Sequence, residues 1–253
     1  MASRVLACVI GVAIGVVGGA AGCAADDDRT VRPPGGGNGT PGDGGAGGAD
    51  GGSGDGGTSG LSGTVCVVDD LRDLHGCPAI NLRTDVLVED VDRTVSTRSD
   101  NAGAFALALA GPTATLRLAA DDELLAETLV DVAVGDGVEA LVMDRTELED
   151  TLLLLGAATG TAVVVVEVVD AAGDPVSGAT VTIGGGADFP VAYDTPAGDF
   201  DALQAGTGPR GLALLIGATP GARTVGATDG AITGTDVVTC EDDVVTFARV
   251  VAQ

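Results

Sequence analysis

The chain is 253 residues long and carries 37 acidic side chains against 12 arginines, for a formal net charge of −25. That charge repels phosphate backbones and anionic lipid surfaces, which excludes nucleic acid as a partner and electrostatic docking on a membrane. There is no Lys, which excludes Schiff-base and Ser-Lys chemistry, and the five aromatic side chains (Phe105, Phe189, Tyr193, Phe200, Phe247) are too few for stacking platforms.

Residues 1–22 hold one charge, Arg4, then an apolar run from Val5 to Ala21 that closes as Ala20-Ala21-Gly22-Cys23. The run is short and Gly-rich for a permanent span, which takes about 20 strongly apolar residues. A basic start, an apolar centre and a small-residue ending suit export. Together they resemble a bacterial lipoprotein signal, with the departure that Ala20 stands where Leu is preferred. The resemblance implies removal of 1–22 and lipidation of Cys23. It places the chain in the cell envelope, lipid-anchored, at the outer membrane or surface of a bacterium. Plain secretory cleavage and an uncleaved anchor are the alternatives. Acyl chains contribute about 0.8 kcal/mol per buried methylene, so several on one cysteine hold a protein at a membrane.

Residues 23–60, from the lipidated Cys onward, are predicted to be a tether. Gly, Asp, Ser and Thr dominate them, with too little apolar surface to offset the entropy of ordering. As a flexible coil the 37 residues after Cys23 span roughly 30–37 Å. Two G-x-G-x-x-G matches, at Gly37-Gly39-Gly42 and Gly42-Gly44-Gly47, follow no strand and open no helix, so they are accidents of Gly content.

From Leu61 onward short Val-rich runs alternate with turns about every ten residues, which predicts an all-β chain of sandwich type. Strands are expected at 64–68, 85–89, 94–97, 104–110, 114–119 and 124–134, then at 162–169, 179–183, 212–216, 223–227 and 244–251. Asp100-Asn101-Ala102-Gly103 is expected to close a hairpin, with Gly103 free to take positive φ. Asp144 with Glu147 suggests a capping box. Leu148, Leu152 and Leu155 share one helical face, and Gly156 suits the stop. The expected layout is therefore a sandwich over 61–143, a short helix and linker over 144–159, and a second sandwich over 160–253.

The second half resembles a carboxypeptidase-regulatory-like, transthyretin-like sandwich domain. The residues that carry this are Asp170-Ala-Ala-Gly173-Asp174-Pro175-Val176-Ser-Gly178-Ala179-Thr-Val181, Thr207-Gly208-Pro209-Arg210-Gly211-Leu212-Ala213 and Pro220-Gly221-Ala222-Arg223-Thr224-Val225. In the first half only Thr97-Arg98-Ser99-Asp100-Asn101-Ala102-Gly103-Ala104-Phe105 survives, the opening being replaced by a stretch with Cys66 and Cys77. Gly103 and Gly211 suggest two diverged copies of one module. The resemblance implies accessory modules that pack, space or bind.

With Cys8 in the leader and Cys23 lipidated, Cys66, Cys77 and Cys240 remain for an oxidising compartment. Cys66 and Cys77 flank a ten-residue loop that suits a local disulfide worth about 3 kcal/mol. The competing reading is a metal site from Cys66, His75 and Cys77, with Asp73. Cys240 is then a buried small hydrophobe. There is no G-x-S-x-G or H-E-x-x-H, and any Ser-His-Asp triad must use His75, the one His of the chain. Acidic clusters are usually solvated faces, and the cation their hard oxygens suit is calcium, with Asp170, Asp174, Glu241, Asp242 and Asp243 as candidate ligands. The expected function is a non-catalytic envelope lipoprotein whose sandwiches act as a spacer or bind a protein partner, with no cofactor unless calcium. The alternatives are a calcium-stabilised adhesion module and a divergent hydrolase.

Overall fold

A computed structural model of the chain describes residues 59–253 apart from Gly76, Ala110 and Asp136. The predicted signal, Cys23 and most of the predicted tether lie outside the described residues. Eight strands precede the single helix described: β1 (Ser59–Val68), β2 (Leu87–Asp90), β3 (Ser96–Arg98), β4 (Ala104–Leu109), β5 (Thr113–Ala119), β6 (Leu125–Ala126), β7 (Thr128–Ala133) and β8 (Val138–Asp144). Helix α1 (Arg145–Leu155) is followed by β9 (Val163–Val169), β10 (Thr180–Ile183), β11 (Ala192–Asp194), β12 (Phe200–Asp201), β13 (Leu212–Ile216), β14 (Gly221–Thr228), β15 (Thr233–Cys240) and β16 (Val245–Val251).

The all-β expectation holds, and the pairing pattern repeats. In the first half β4, β1 and β8 are adjacent, with β8 parallel to β1, and β2, β5 and β7 form the facing layer. In the second half β13, β9 and β16 repeat the first layer, with β16 parallel to β9, and β10, β14 and β15 repeat the second. The repeat extends to single hydrogen bonds. Val65 N–H donates to Gly103 O (2.8 Å) and Arg83 N–H to Val65 O (3.1 Å); Val168 N–H donates to Gly211 O (2.8 Å) and Val176 N–H to Val168 O (2.9 Å). The Ser99 hydroxyl takes the Val86 N–H and donates to Arg83 O, just as the Thr207 hydroxyl takes the Ala179 N–H and donates to Val176 O. Gly103 and Gly211 both have left-handed backbones, at φ 72° and 70°. The strand pairing and these hydrogen bonds repeat between β1–β8, here called module 1, and β9–β16, module 2, within one compact unit.

The copies are fused side by side. β16 of module 2 adds in parallel to β7 of module 1, so one nine-stranded sheet runs β12-β11-β13-β9-β16-β7-β5-β2-β3 through both. This seam is the physical link across the helix and linker expected over 144–159. Val164, Val166 and Val168 of β9 face the core of module 2, whereas Val163 and Val165 face the other way, into the core of module 1 and α1. Burial on both faces explains why all of Val163–Val169 is buried and why its sequence does not alternate.

Several local expectations change. The turn at Asp100 is closed as expected, with Gly103 N–H donating to Asp100 O (2.9 Å), but it makes no hairpin. β3 pairs with β2 and β4 with β1, so the turn carries the chain from one layer to the other. The run expected as one strand over 124–134 breaks at Glu127, because β6 joins β8 while β7 joins the shared sheet. Thr128 fixes this corner, its hydroxyl donating to Ala126 O and accepting from Met143 N–H. Strands β8, β11, β12 and β15 add to those the sequence pattern predicts. At α1 the Asp144 carboxylate accepts from the N–H groups of Thr146 and Glu147, and Gly156 ends the helix at φ 72°. The box is only half closed, since Glu147 Oε1 instead accepts the N–H of Leu71 (3.2 Å). Leu152 is buried and Leu148 and Leu155 pack on the core, leaving Leu153 and Leu154 exposed.

Candidate functional site at the module junction

The chemistry-bearing residues gather where the two modules meet. β9 reads Val-Val-Val-Val-Glu-Val-Val, and Glu167 is the one charge in it. Alternation along the strand puts Glu167 on the face shared with Val163 and Val165, turned towards module 1. Its side chain is only 9% exposed. A buried carboxylate needs compensation, and two side chains, Arg249 and His75, pair with it. Arg249 on β16 is its direct cross-strand neighbour, with Nε 3.4 Å from Oε2. His75 arrives from the loop between Cys66 and Cys77, and its Nε2 pairs with Oε1. Leu74, Val130, Leu141 and Phe247 wall a cavity of about 340 Å³ over this cluster, with Asp131, Glu139 and Asp236 at its polar side.

A second ionic tie lies across the seam. Arg117 on β5 is 6% exposed and turned away from the core of module 1. Its Nη1 pairs with Glu127, and its Nη2 lies 2.6 Å from Oε1 of Glu241 in the β15–β16 turn of module 2. Burial by itself would push the Arg117 guanidinium down, but the hydrogen bonds it donates to Glu241 and Glu127 outweigh it and hold its pKa above the ordinary value. Asp194 does related work inside module 2. This buried carboxylate accepts the N–H groups of Gly208 (2.7 Å), Arg210 (2.9 Å) and Leu212 (2.9 Å), which fixes the loop leading into β13.

Cys66 and Cys77 form a disulfide, so no thiolate is left for the alternative metal site. His75 points to Glu167, and Asp73 accepts the His75 N–H within the loop. The Glu139 carboxylate lies within 4.8 Å of both sulfurs. Cys240 is free and fully buried in the core of module 2. The calcium candidates are not brought together. Asp170 follows the end of β9 and spends one oxygen on the N–H groups of Ala172 and Asp174. Glu241, Asp242 and Asp243 precede β16 at the opposite end, about 20 Å away along two parallel strands. Glu241 is held by Arg117, and the carboxylate of Asp243 is 3.9 Å from Arg145. Cys23 lies outside the described residues. Glu167, Arg249, Arg117 and Asp194 join the site through the fold. The sequence signal for Glu167 and Arg117 is a lone charge inside an apolar strand, Val-Glu-Val in β9 and Leu-Arg-Leu in β5.

No family model matches the chain, and no curated protein matches it. Among solved structures it is similar to the TIE protein of Bacillus anthracis, at 12% identity and a TM-score of 0.24, over 77% of this chain and 34% of that one. It is also similar to the shaft pilin SpaA of Lactobacillus rhamnosus GG, at 10% identity and a TM-score of 0.23, over 78% of this chain and 98% of the pilin. A streptococcal ancillary pilin is matched at 14% identity and a TM-score of 0.22, over 78% of this chain and 63% of that one. The chain therefore spans about a third of the length of the TIE protein. Likeness at this level says nothing of what the chain does. Among the described residues, no helix is long and apolar enough to cross a membrane.

Proposed function

We propose that the chain is a non-catalytic lipoprotein of the bacterial cell envelope, anchored through Cys23, that presents two fused carboxypeptidase-regulatory-like modules as a rigid spacer or protein-binding element. The observation that carries this reading is the parallel seam between β16 and β7, reinforced by Arg117 and the His75–Glu167 pair. Two modules joined through a continuous sheet hold a fixed relative orientation, which suits a spacer better than an articulated pair does. The one histidine is tied by its ring to the buried carboxylate of Glu167, which makes it part of the junction between the modules.

Membrane fractionation tests the anchor. Cys23→Ala should move the protein into the soluble fraction, and retention at the membrane would favour an uncleaved anchor. The purified protein should turn over no generic ester, peptide or glycoside. Turnover that is abolished in His75→Ala would overturn the non-catalytic reading.

A further inference from the structure

The two copies differ most in the connection that follows their first strand. In module 2 the chain passes from Val168 to Val176 through the tight Asp170–Gly173 turn; the matching stretch of module 1 runs from Val65 to Arg83 and is longer by ten residues. The surplus leaves β1 after Val68 and is closed into a ring by the disulfide from Cys66 to Cys77. Its side chains reach beyond the strands of their own module. Leu71 is 1% exposed in the core that includes Leu152 of α1, and its N–H is held by Glu147. Arg72 lies over the β11–β12 turn, so close that a methyl group on Gly198 would stand 2.8 Å from its Cδ. Leu74 shares the junction cavity with Phe247 of β16, and His75 is bound to Glu167 of β9.

We propose that this disulfide-closed ring is a redox-releasable clasp that holds the outer face of module 2 and helix α1 against module 1. The ring has no counterpart in the sister copy. Its contacts fall on α1, the β11–β12 turn and β9. Reduction by a dithiol breaks the Sγ–Sγ bond. Two electrons and two protons pass to Cys66 and Cys77 as thiols, and the dithiol becomes a disulfide. Without closure, the chain from Asp69 to His75 must be ordered by its own few contacts. The loop-closure entropy of a ring this size corresponds to about a 100-fold rise in the detached population.

The test is hydrogen exchange on the full chain, oxidised and after dithiothreitol. Exchange should rise by about 10- to 100-fold in α1, in the β11–β12 turn and around Glu167, while β10, β14 and β15 keep their protection. Cys66→Ser/Cys77→Ser should reproduce this pattern and no longer respond to dithiothreitol. His75→Ala, with the disulfide intact, should raise exchange around Glu167 only. The proposal is overturned if reduction speeds exchange only within 66–83. It is equally overturned if β14 and β15 lose protection together with α1, because the disulfide would then be a general stabiliser.

Discussion

Arg117→Met deletes the charge that ties β5, the β6–β7 corner and the β15–β16 turn together, while keeping most of the buried hydrocarbon stem. Two hydrogen bonds to ionised partners are lost, each worth about 1.5–3 kcal/mol. The two carboxylates are 38% and 37% exposed, so water recovers part of that loss. Discounting by about half for this solvation leaves a destabilisation of about 1.5–3 kcal/mol. For a folded unit of this size that is a fall of roughly 3–12 °C in Tm. Urea unfolding followed by circular dichroism measures it as a lower midpoint with an unchanged slope. Because Glu241 belongs to module 2, a double-mutant cycle of Arg117→Met with Glu241→Gln reports coupling across the seam, expected at about 1 kcal/mol or more. A loss below about 0.5 kcal/mol, typical of an indifferent surface change, would refute the role of Arg117 as a tie.

The two equivalent glycines should not be equally sensitive. A methyl at Gly211 would stand 2.4 Å from Val168 O, whereas at Gly103 the nearest atoms are 3.2–3.3 Å away. Gly211→Ala should therefore cost about 3 kcal/mol or more and Gly103→Ala about 1–2 kcal/mol, checked by the same urea titration. In the β14–β15 turn, the N–H groups of Ile232 and Ala231 hold the Asp229 carboxyl below its ordinary value of 3.8. A lowered carboxyl contributes stability that is present above the unfolded value and is lost as the pH falls through the folded one. The stability gap between the native protein and Asp229→Ala should thus close as the pH drops below 3.8, and a gap independent of pH would refute the turn's use of the charge. Cys240 lies fully buried, and burial pushes its thiol up. A thiol reagent should label it only in denaturant, and rapid labelling of the native protein would contradict its core position.

Much of this architecture is visible in the residues themselves. The Val runs announce strands, Asp144 and Gly156 bracket the helix, and Gly103 and Gly211 mark the duplication, because each rests on local geometry. The strands that escaped notice are those whose pattern is set by distant neighbours. β15, Thr-Gly-Thr-Asp-Val-Val-Thr-Cys, has one face on the core and one largely open, and its polar start looks like a loop. β11 and β12 are too short to show any period. The hairpin expected at Asp100 fails because a turn sequence specifies a reversal and not which strands pair beyond it. The junction was illegible for a similar reason. Glu167 is 92 positions from His75 and 82 from Arg249, and only the parallel addition of β16 to β7 brings the face of β9 up to the loop of module 1.

That same addition decides what becomes of the second module on its own. Cutting the chain before β9 would strip β7 from β16 and leave Val245, Thr246 and Phe247 with a row of unpaired backbone groups. The face carrying Val163, Val165, Leu214 and Ile216 would lose helix α1 and the loop that cover it. A bare, apolar strand edge is a template for another chain. A fragment beginning near residue 160 should therefore pair with itself and precipitate, although it contains every strand of its own sandwich.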